Sequence, residues 1–255
     1  MTHQRREFLK QAAVIGAGAL AFPSLTQAFP GGAGPTDEKG QGFTFLFQGD
    51  SITDGNRSRN NDWNHVMGHG YGYLISSRLW YDHPAKQFHF LNRGISGNKV
   101  TDLVNRWQVD TLDLKPDLLS ILIGINDGSS AIGGATEFTI ERYENEYRSL
   151  LQKTKELLPS VQFVLCEPFV LPVGKVKEKW EAYQSDIAQR QQVVKKLSGE
   201  FSAIYVGLQE AFNRALSRAP AEYWIWDGIH PMPAGHELIA REWIGEVGKK
   251  LKFIK

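Results

Sequence analysis

A three-layer α/β/α sandwich around a five-stranded parallel sheet is the fold this sequence predicts, and three observations carry that expectation. Short, almost unbroken apolar runs recur five times, as strands covered on both faces require. Longer stretches with helical spacing separate them, which is the alternation of a parallel sheet with crossover helices. The polar, chemistry-bearing residues cluster just after the apolar runs, where ligands bind in sheets of this kind.

The strands are expected at 43–48, 88–92, 118–123, 161–166 and 203–206, and the principal helices at 71–80, 99–112, 140–158, 178–198 and 233–250. In the third helix Tyr143, Tyr147, Leu150, Leu151, Thr154 and Leu158 share one face at 3.6-residue spacing. In the last, Pro233 stands at the start, where its missing N–H costs nothing.

Ahead of the first strand lie two segments of different character. Residues 1–28 carry Arg5, Arg6 and Lys10, then an apolar stretch from Ala12 to Phe22, then small residues ending at Ala28. That is the layout of an export signal, and the apolar stretch is too short to span a bilayer. The Arg pair followed by Phe8-Leu9-Lys10 resembles a twin-arginine signal, which implies an exported protein, periplasmic or extracellular. Residues 29–42, rich in Gly, Pro and charge, read as a flexible tether, leaving 43–255 as one folded domain.

The chain has 255 residues and a formal net charge of +1, and its basic residues are scattered rather than striped. Nothing here points to a nucleic-acid partner. The single cysteine, Cys166, sits in an apolar run, excludes an intramolecular disulfide and reads as a buried thiol.

After the first strand comes Gly49-Asp50-Ser51, after the second "NRGISGN" with Gly94 and Gly97, and after the third "IGINDG" with Asn126 and Asp127. Near the C-terminus, "WDGIHPMPAGH" places Asp227 and His230 three apart on one loop. A serine hydroxyl needs a base, and a histidine needs a carboxylate to fix its tautomer; Ser51, His230 and Asp227 supply that set. An acyl-transfer oxyanion needs preorganised donors, for which the Ser51 and Gly97 N–H groups and the Asn126 amide are the candidates. Trp226 beside the acid, Trp63 in the following polar loop and Asp50 are candidates to face a substrate.

Other readings of the same residues remain. A Gly-Asp-Ser can be an ordinary turn. Asp227 and His230 could be a metal fragment joined by His65 and His69, although no clear third and fourth ligand stands at metal-site spacing. No metal or cofactor is therefore expected. His236 reads as structural, and Arg57 and Arg59 as solvated loop charges.

The segments "GDSIT", "GISGN", "GIND" and "DGIHP", in that order, resemble the four signature blocks of the SGNH (GDSL) hydrolases. "NRGISGNKVTDLVNRW", "DLLSILIGIND" and "WDGIHPMPAGHELIAREW" are similar to the acetylxylan esterase branch of that family. The resemblance implies the family's flavodoxin-like fold, Ser51 as nucleophile, Asp227 and His230 as its partners, and Gly97 and Asn126 as oxyanion donors. It implies a serine esterase that removes O-acetyl groups from carbohydrates such as xylo-oligosaccharides, without a cofactor. Two alternatives stand beside it: a lipid esterase, lysophospholipase or thioesterase of the same family, and a non-catalytic carbohydrate-binding protein on the same fold. A homo-oligomer is compatible with the sequence. Position 53 is threonine, so the serine does not sit in a G-x-S-x-G elbow.

Overall fold

The computed structural model describes residues 42–60 and 62–254. The signal-like residues 1–28, and the tether apart from Gly42, lie outside the described residues. Five parallel strands, Thr44–Gly49 (β1), His89–Asn92 (β2), Leu118–Leu122 (β3), Gln162–Cys166 (β4) and Ile204–Val206 (β5), form one sheet in the order β2-β1-β3-β4-β5. This is the expected mixed α/β architecture.

Alternation along each strand makes the layers, because successive side chains leave opposite faces of a strand. Phe45 and Phe47 of β1, Leu118 and Leu122 of β3, and Val164 and Cys166 of β4 enter one core, shared with the helices Tyr71–Asp82 and Pro233–Lys250. Leu46, Leu119, Ile121, Phe163 and Leu165 enter the other, shared with Val100–Trp107 and Ile140–Leu157. The long helix Trp180–Glu200 reaches both, with Tyr183 and Ile187 in the first core and Val193, Val194 and Leu197 in the second. A polar atom inside the first core is satisfied: buried Trp243 donates its indole N–H to Ser120 Oγ at 2.9 Å. Cys166 is buried, and burial pushes its thiol up to about 12, as an inert thiol requires.

The expected helix over 99–112 is instead an α-helix, Val100–Trp107, that widens into a π-turn at Gln108–Leu112. The buried Gln48 of β1 is the reason we assign. Its amide donates to the Asp110 carbonyl at 2.7 Å and to Thr111 Oγ1 at 2.8 Å, and a widened turn leaves that carbonyl available. Short helices not foreseen in the sequence follow β1 (Ser51–Asp54), β3 (Ile125–Ile132) and β5 (Leu208–Ala215). Among the described residues, no helix is long and apolar enough to cross a membrane.

The strand order reverses direction between β1 and β3. Their carboxyl ends flank the crevice that this topology opens for a ligand. Ser51 follows β1 and Asn126 follows β3.

Candidate active site

The N-terminus of the four-residue helix after β1 presents Ser51. Asp50 caps it, accepting the Ile52 N–H on Oδ1 at 3.0 Å. Ser51 Oγ lies 2.9 Å from His230 Nε2, and His230 Nδ1 lies 2.8 Å from Asp227 Oδ2. Hydroxyl, imidazole and carboxylate thus form one continuous chain of hydrogen bonds.

The Asp-x-x-His loop folds as it does because its ends are tied. Ile225 and Pro231 form an isolated antiparallel bridge, and Met232 N–H bonds back to the Trp224 carbonyl at 2.8 Å. Within that tie Asp227 Oδ1 accepts the N–H groups of Ile229 at 2.9 Å and His230 at 2.7 Å, which leaves Oδ2 for the ring. Burial of Asp227 works to raise its carboxyl, but these backbone bonds and the imidazole outweigh it and hold the group at about 2. Gly174 packs against the backbone of Asp227 so closely that a Cβ there would lie 2.5 Å from the Asp227 Cα, at a φ of +53°. That contact brings Lys175 alongside, its Nζ 3.2 Å from Asp227 Oδ2.

Donors surround the serine. Among the described residues, neither the Ser51 nor the Gly97 backbone N–H is engaged in a hydrogen bond. Asn126, at the start of its helix, donates one amide hydrogen to the Asn98 carbonyl at 3.1 Å, orienting the amide and leaving its second hydrogen. Gly97 has φ +84° and a Cβ there would meet nothing within 4 Å, so the left-handed backbone, and not crowding, asks for glycine. Hydroxyl, base, oriented acid and free donors together suit nucleophilic acyl transfer.

Asp50 corrects an expectation. It is 1 % exposed and caps the helix, so it cannot face a substrate. Burial, helped by nearby Asp127, raises its carboxyl to about 7 against the Ile52 hydrogen bond. Trp226 is 60 % exposed, its ring 6.4 Å from that of His230 and inclined by 25°. Trp63 is exposed on the loop after the nucleophile and, among the described residues, makes no hydrogen bond or ring contact.

The polar loop is better anchored than its composition suggests. Arg59 grips both oxygens of buried Asp54, at 2.9 and 2.7 Å, and Arg57 Nε donates to the Gly94 carbonyl at 3.0 Å. Asp54 also accepts the Ser96 N–H at 3.1 Å and its hydroxyl at 3.0 Å, next to Gly97. Both arginines structure the loop; Arg57 is partly buried, while Arg59 keeps its pair with Asp54 although half of its side chain stands in solvent. Neither pairing had a local signal, and the same holds for Lys175. His65 pairs with Asp62 at 2.6 Å on the surface, and His236 is buried at the base of the last helix. Among the described residues, no three His, Cys, Asp or Glu side chains are grouped to hold a metal.

Residues 47–238 match the GDSL-like Lipase/Acylhydrolase family. An acetylxylan esterase from Geobacillus stearothermophilus is 34 % identical over 215 residues, 82 % of this chain and 95 % of its own length. A solved structure of an acetylxylan esterase from that organism matches with a TM-score of 0.71 at 33 % identity, covering 82 % of this chain and 95 % of the other. A GDSL-like lipase structure from Parabacteroides merdae matches at 0.78 and 42 % identity, covering 85 % and 100 %.

Proposed function

The chain belongs to the GDSL-like lipase/acylhydrolase family, and from that premise we propose that this serine hydrolase removes O-acetyl groups from carbohydrates such as xylo-oligosaccharides. The observation that carries the proposal is the unbroken relay from Ser51 Oγ through His230 to Asp227, bordered by unengaged donors. It is supported by similarity to an acetylxylan esterase along most of the chain.

In this reading Ser51 Oγ attacks the acetyl carbonyl as His230 Nε2 takes its proton, and Asp227 stabilises the imidazolium. The oxyanion receives hydrogen bonds from the Ser51 and Gly97 N–H groups and from Asn126. Collapse breaks the bond to the sugar oxygen, which leaves with the proton from Nε2. A water molecule then repeats the sequence on the acetyl-enzyme and frees acetate. Trp226, exposed beside the base, offers a flat apolar face to a sugar ring. Of the polar side chains after the nucleophile, Thr53 and Asp54 are buried, while exposed Asn56 and Asn60 favour a sugar over an alkyl chain, whose passage would strip them of water. Export is part of the proposal, on the strength of the Arg5–Arg6 signal pattern.

Acetate release should be measured on acetylated xylo-oligosaccharides, other acetylated sugars and aryl esters of increasing acyl length. We expect sugar acetates to be cleaved, rates to fall steeply beyond acetyl, and folded Ser51→Ala protein to be inactive. An octanoate ester turned over as well as the acetate by kcat/KM would shift the assignment to a lipid esterase. Normal turnover by Ser51→Ala would remove the serine mechanism.

A further inference from the structure

Beside the loop that follows the nucleophile lies a cavity of about 200 Å³, walled by Arg57, Ser58, Arg59, Asn60, Arg93 and Asp110. We propose that this cavity binds a single oxyanion and that its source is the carboxylate of a uronic acid carried by the acetylated oligosaccharide. The identity of that source rests on the esterase reading; the anion site itself does not.

Charge around the cavity is unbalanced. Three guanidiniums line it, Arg57, Arg59 and Arg93, and a fourth, Arg106, stands behind Asp110. Among the described residues two carboxylates contact them, Asp102 acts on Arg106 from further off, and Arg93 has a further interaction of its own. Asp54 is taken by both nitrogens of Arg59, and Asp110 is divided between Arg106 at 3.0 Å and Arg93 at 3.9 Å. The Arg57 guanidinium is left without a carboxylate in contact among the described residues, although the Arg57 backbone N–H donates to Asp54. Its Nε is spent on the Gly94 carbonyl, and its two terminal nitrogens have no partner among the described residues.

A second, independent observation comes from Ser58. Ser58 is one of the cavity's lining residues, and its hydroxyl oxygen is shielded from solvent with no hydrogen-bond partner among the described residues. An unpaired buried hydroxyl and a partly desolvated cation each cost free energy, and one oxyanion with two acceptor oxygens satisfies both. The desolvation has a visible consequence. Burial first, then Arg59 and Arg93, push Arg57 down to about 10 against the pull of Asp54 and Asp110.

Size and position favour a sugar-borne acid. The volume is below the ~300 Å³ at which ordinary ligand pockets begin, suiting one monosaccharide unit or a smaller oxyanion. The wall is also tied to the catalytic apparatus. Arg57 holds the Gly94 carbonyl, and Asp54, which Arg59 grips, holds Ser96 immediately before Gly97. A substrate anchored in the cavity would therefore press on the segment that carries an oxyanion donor.

The test has two arms. In the first, thermal unfolding of the protein is followed with sodium glucuronate, inorganic phosphate or neutral xylose at matched ionic strength. In the second, kcat/KM for acetate release is compared between acetylated xylo-oligosaccharides with and without a uronic acid branch. We expect glucuronate but not xylose to raise Tm, and Arg57→Gln to abolish the rise. We expect the acidic substrate to be preferred by about tenfold, the worth of one charge-assisted hydrogen bond, and the preference to collapse toward unity in Arg57→Gln. If that variant does not fold, the wild-type protein still decides. Phosphate should then lower kcat/KM for the acidic substrate alone.

Stabilisation by phosphate through Arg57, with both substrates cleaved alike, would overturn the uronate source and leave a site for free anions. No shift in Tm with either anion would overturn the site. Absence of acetate release from both substrates would count against the esterase reading, while the unfolding arm still reports on the cavity.

Discussion

Asp227 divides its two oxygens between different tasks, and the division makes its effect calculable. Oδ1 holds the loop through two backbone N–H groups, while Oδ2 faces His230 Nδ1 and Lys175. Asp227→Asn preserves the shape but sets an amide NH₂ or an uncharged oxygen against the ring, favouring the wrong tautomer or losing the charge. We predict a fall in kcat on the order of 10³–10⁴ in protein that is still folded, measured by aryl-acetate kinetics well below Tm. Thermal unfolding should show Tm lowered, because the charge favoured by the loop N–H groups and the imidazole is lost. A loss in proportion to unfolding would make Asp227 merely structural. Lys175→Met tests the other neighbour. Its side chain is 56 % exposed, so solvent screens the pair, and we expect less than about a threefold change in kcat/KM. Asn126→Ala removes a donor already oriented by Asn98, and kcat should drop by roughly 10²–10³ with KM little altered. A change confined to KM would make Asn126 a substrate-binding group instead.

At the scale of elements, the helix Ser51–Asp54 is too short to be stable alone, since a single turn fixes several dihedrals for little hydrogen bonding. Its ends are held from outside: Asp50 caps the start, and Asp54 at the finish gathers Arg59, Ser96 and the Arg57 N–H. Burial of Asp54 opposes its ionisation, yet Arg59 and Ser96 prevail and keep its carboxyl below the usual range. Asp54→Ala should lower stability by about 2 kcal/mol, a buried-pair loss discounted for the half-exposed Arg59. The same variant should speed proteolysis within 56–66 and reduce kcat, because Ser96 precedes Gly97. Arg59→Ala leaves the Ser96 and Arg57 contacts in place and should do less on all three counts. Equal kcat in wild type and Asp54→Ala would separate this anchor from catalysis.

For the whole molecule, acid stability is a contest between buried groups of opposite sign. His236 joins two helices of the first core by accepting the Tyr71 N–H on Nδ1 at 3.2 Å. Burial first, then His69 and His230, push it down to about 4 from an ordinary 6.5. The unfolded chain therefore binds a proton between about 6.5 and 4 that the native state refuses, and stability falls as pH drops through that window. Asp50, raised to about 7, and Asp127, raised to about 6 chiefly by burial, act the other way and favour the native state on acidification. Wild-type curves alone mix these contributions; comparison with His236→Asn isolates one. From pH 7 to 4.5 the variant should gain on the order of 2–3 kcal/mol relative to wild type in urea unfolding. Parallel curves would show that His236 titrates alike in both states.

The sheet was legible because strands buried on both faces must be short apolar runs, and each predicted strand lies within a residue or so of the observed one. The placement of Ser51, Asn126 and the Asp227–His230 loop was legible for a related reason: side chains directly after parallel strands share one edge. Sequence by itself also paired Asp227 with His230, since three residues on a tied loop suffice for contact. It could not give the strand order β2-β1-β3-β4-β5, because alternation of elements is the same for any order. One-turn helices such as Ser51–Asp54 and Gly174–Lys177 are shorter than the period that would reveal them. The π-turn at Gln108–Leu112 answers to Gln48, far away in the chain. The same distance hid the work of Arg57 and Lys175, whereas Arg59 reaches Asp54 only five residues back, on a loop with no periodicity to show it. A local pattern determines where a side chain stands on its own element; its partner is decided only when two distant backbones are brought within hydrogen-bond reach.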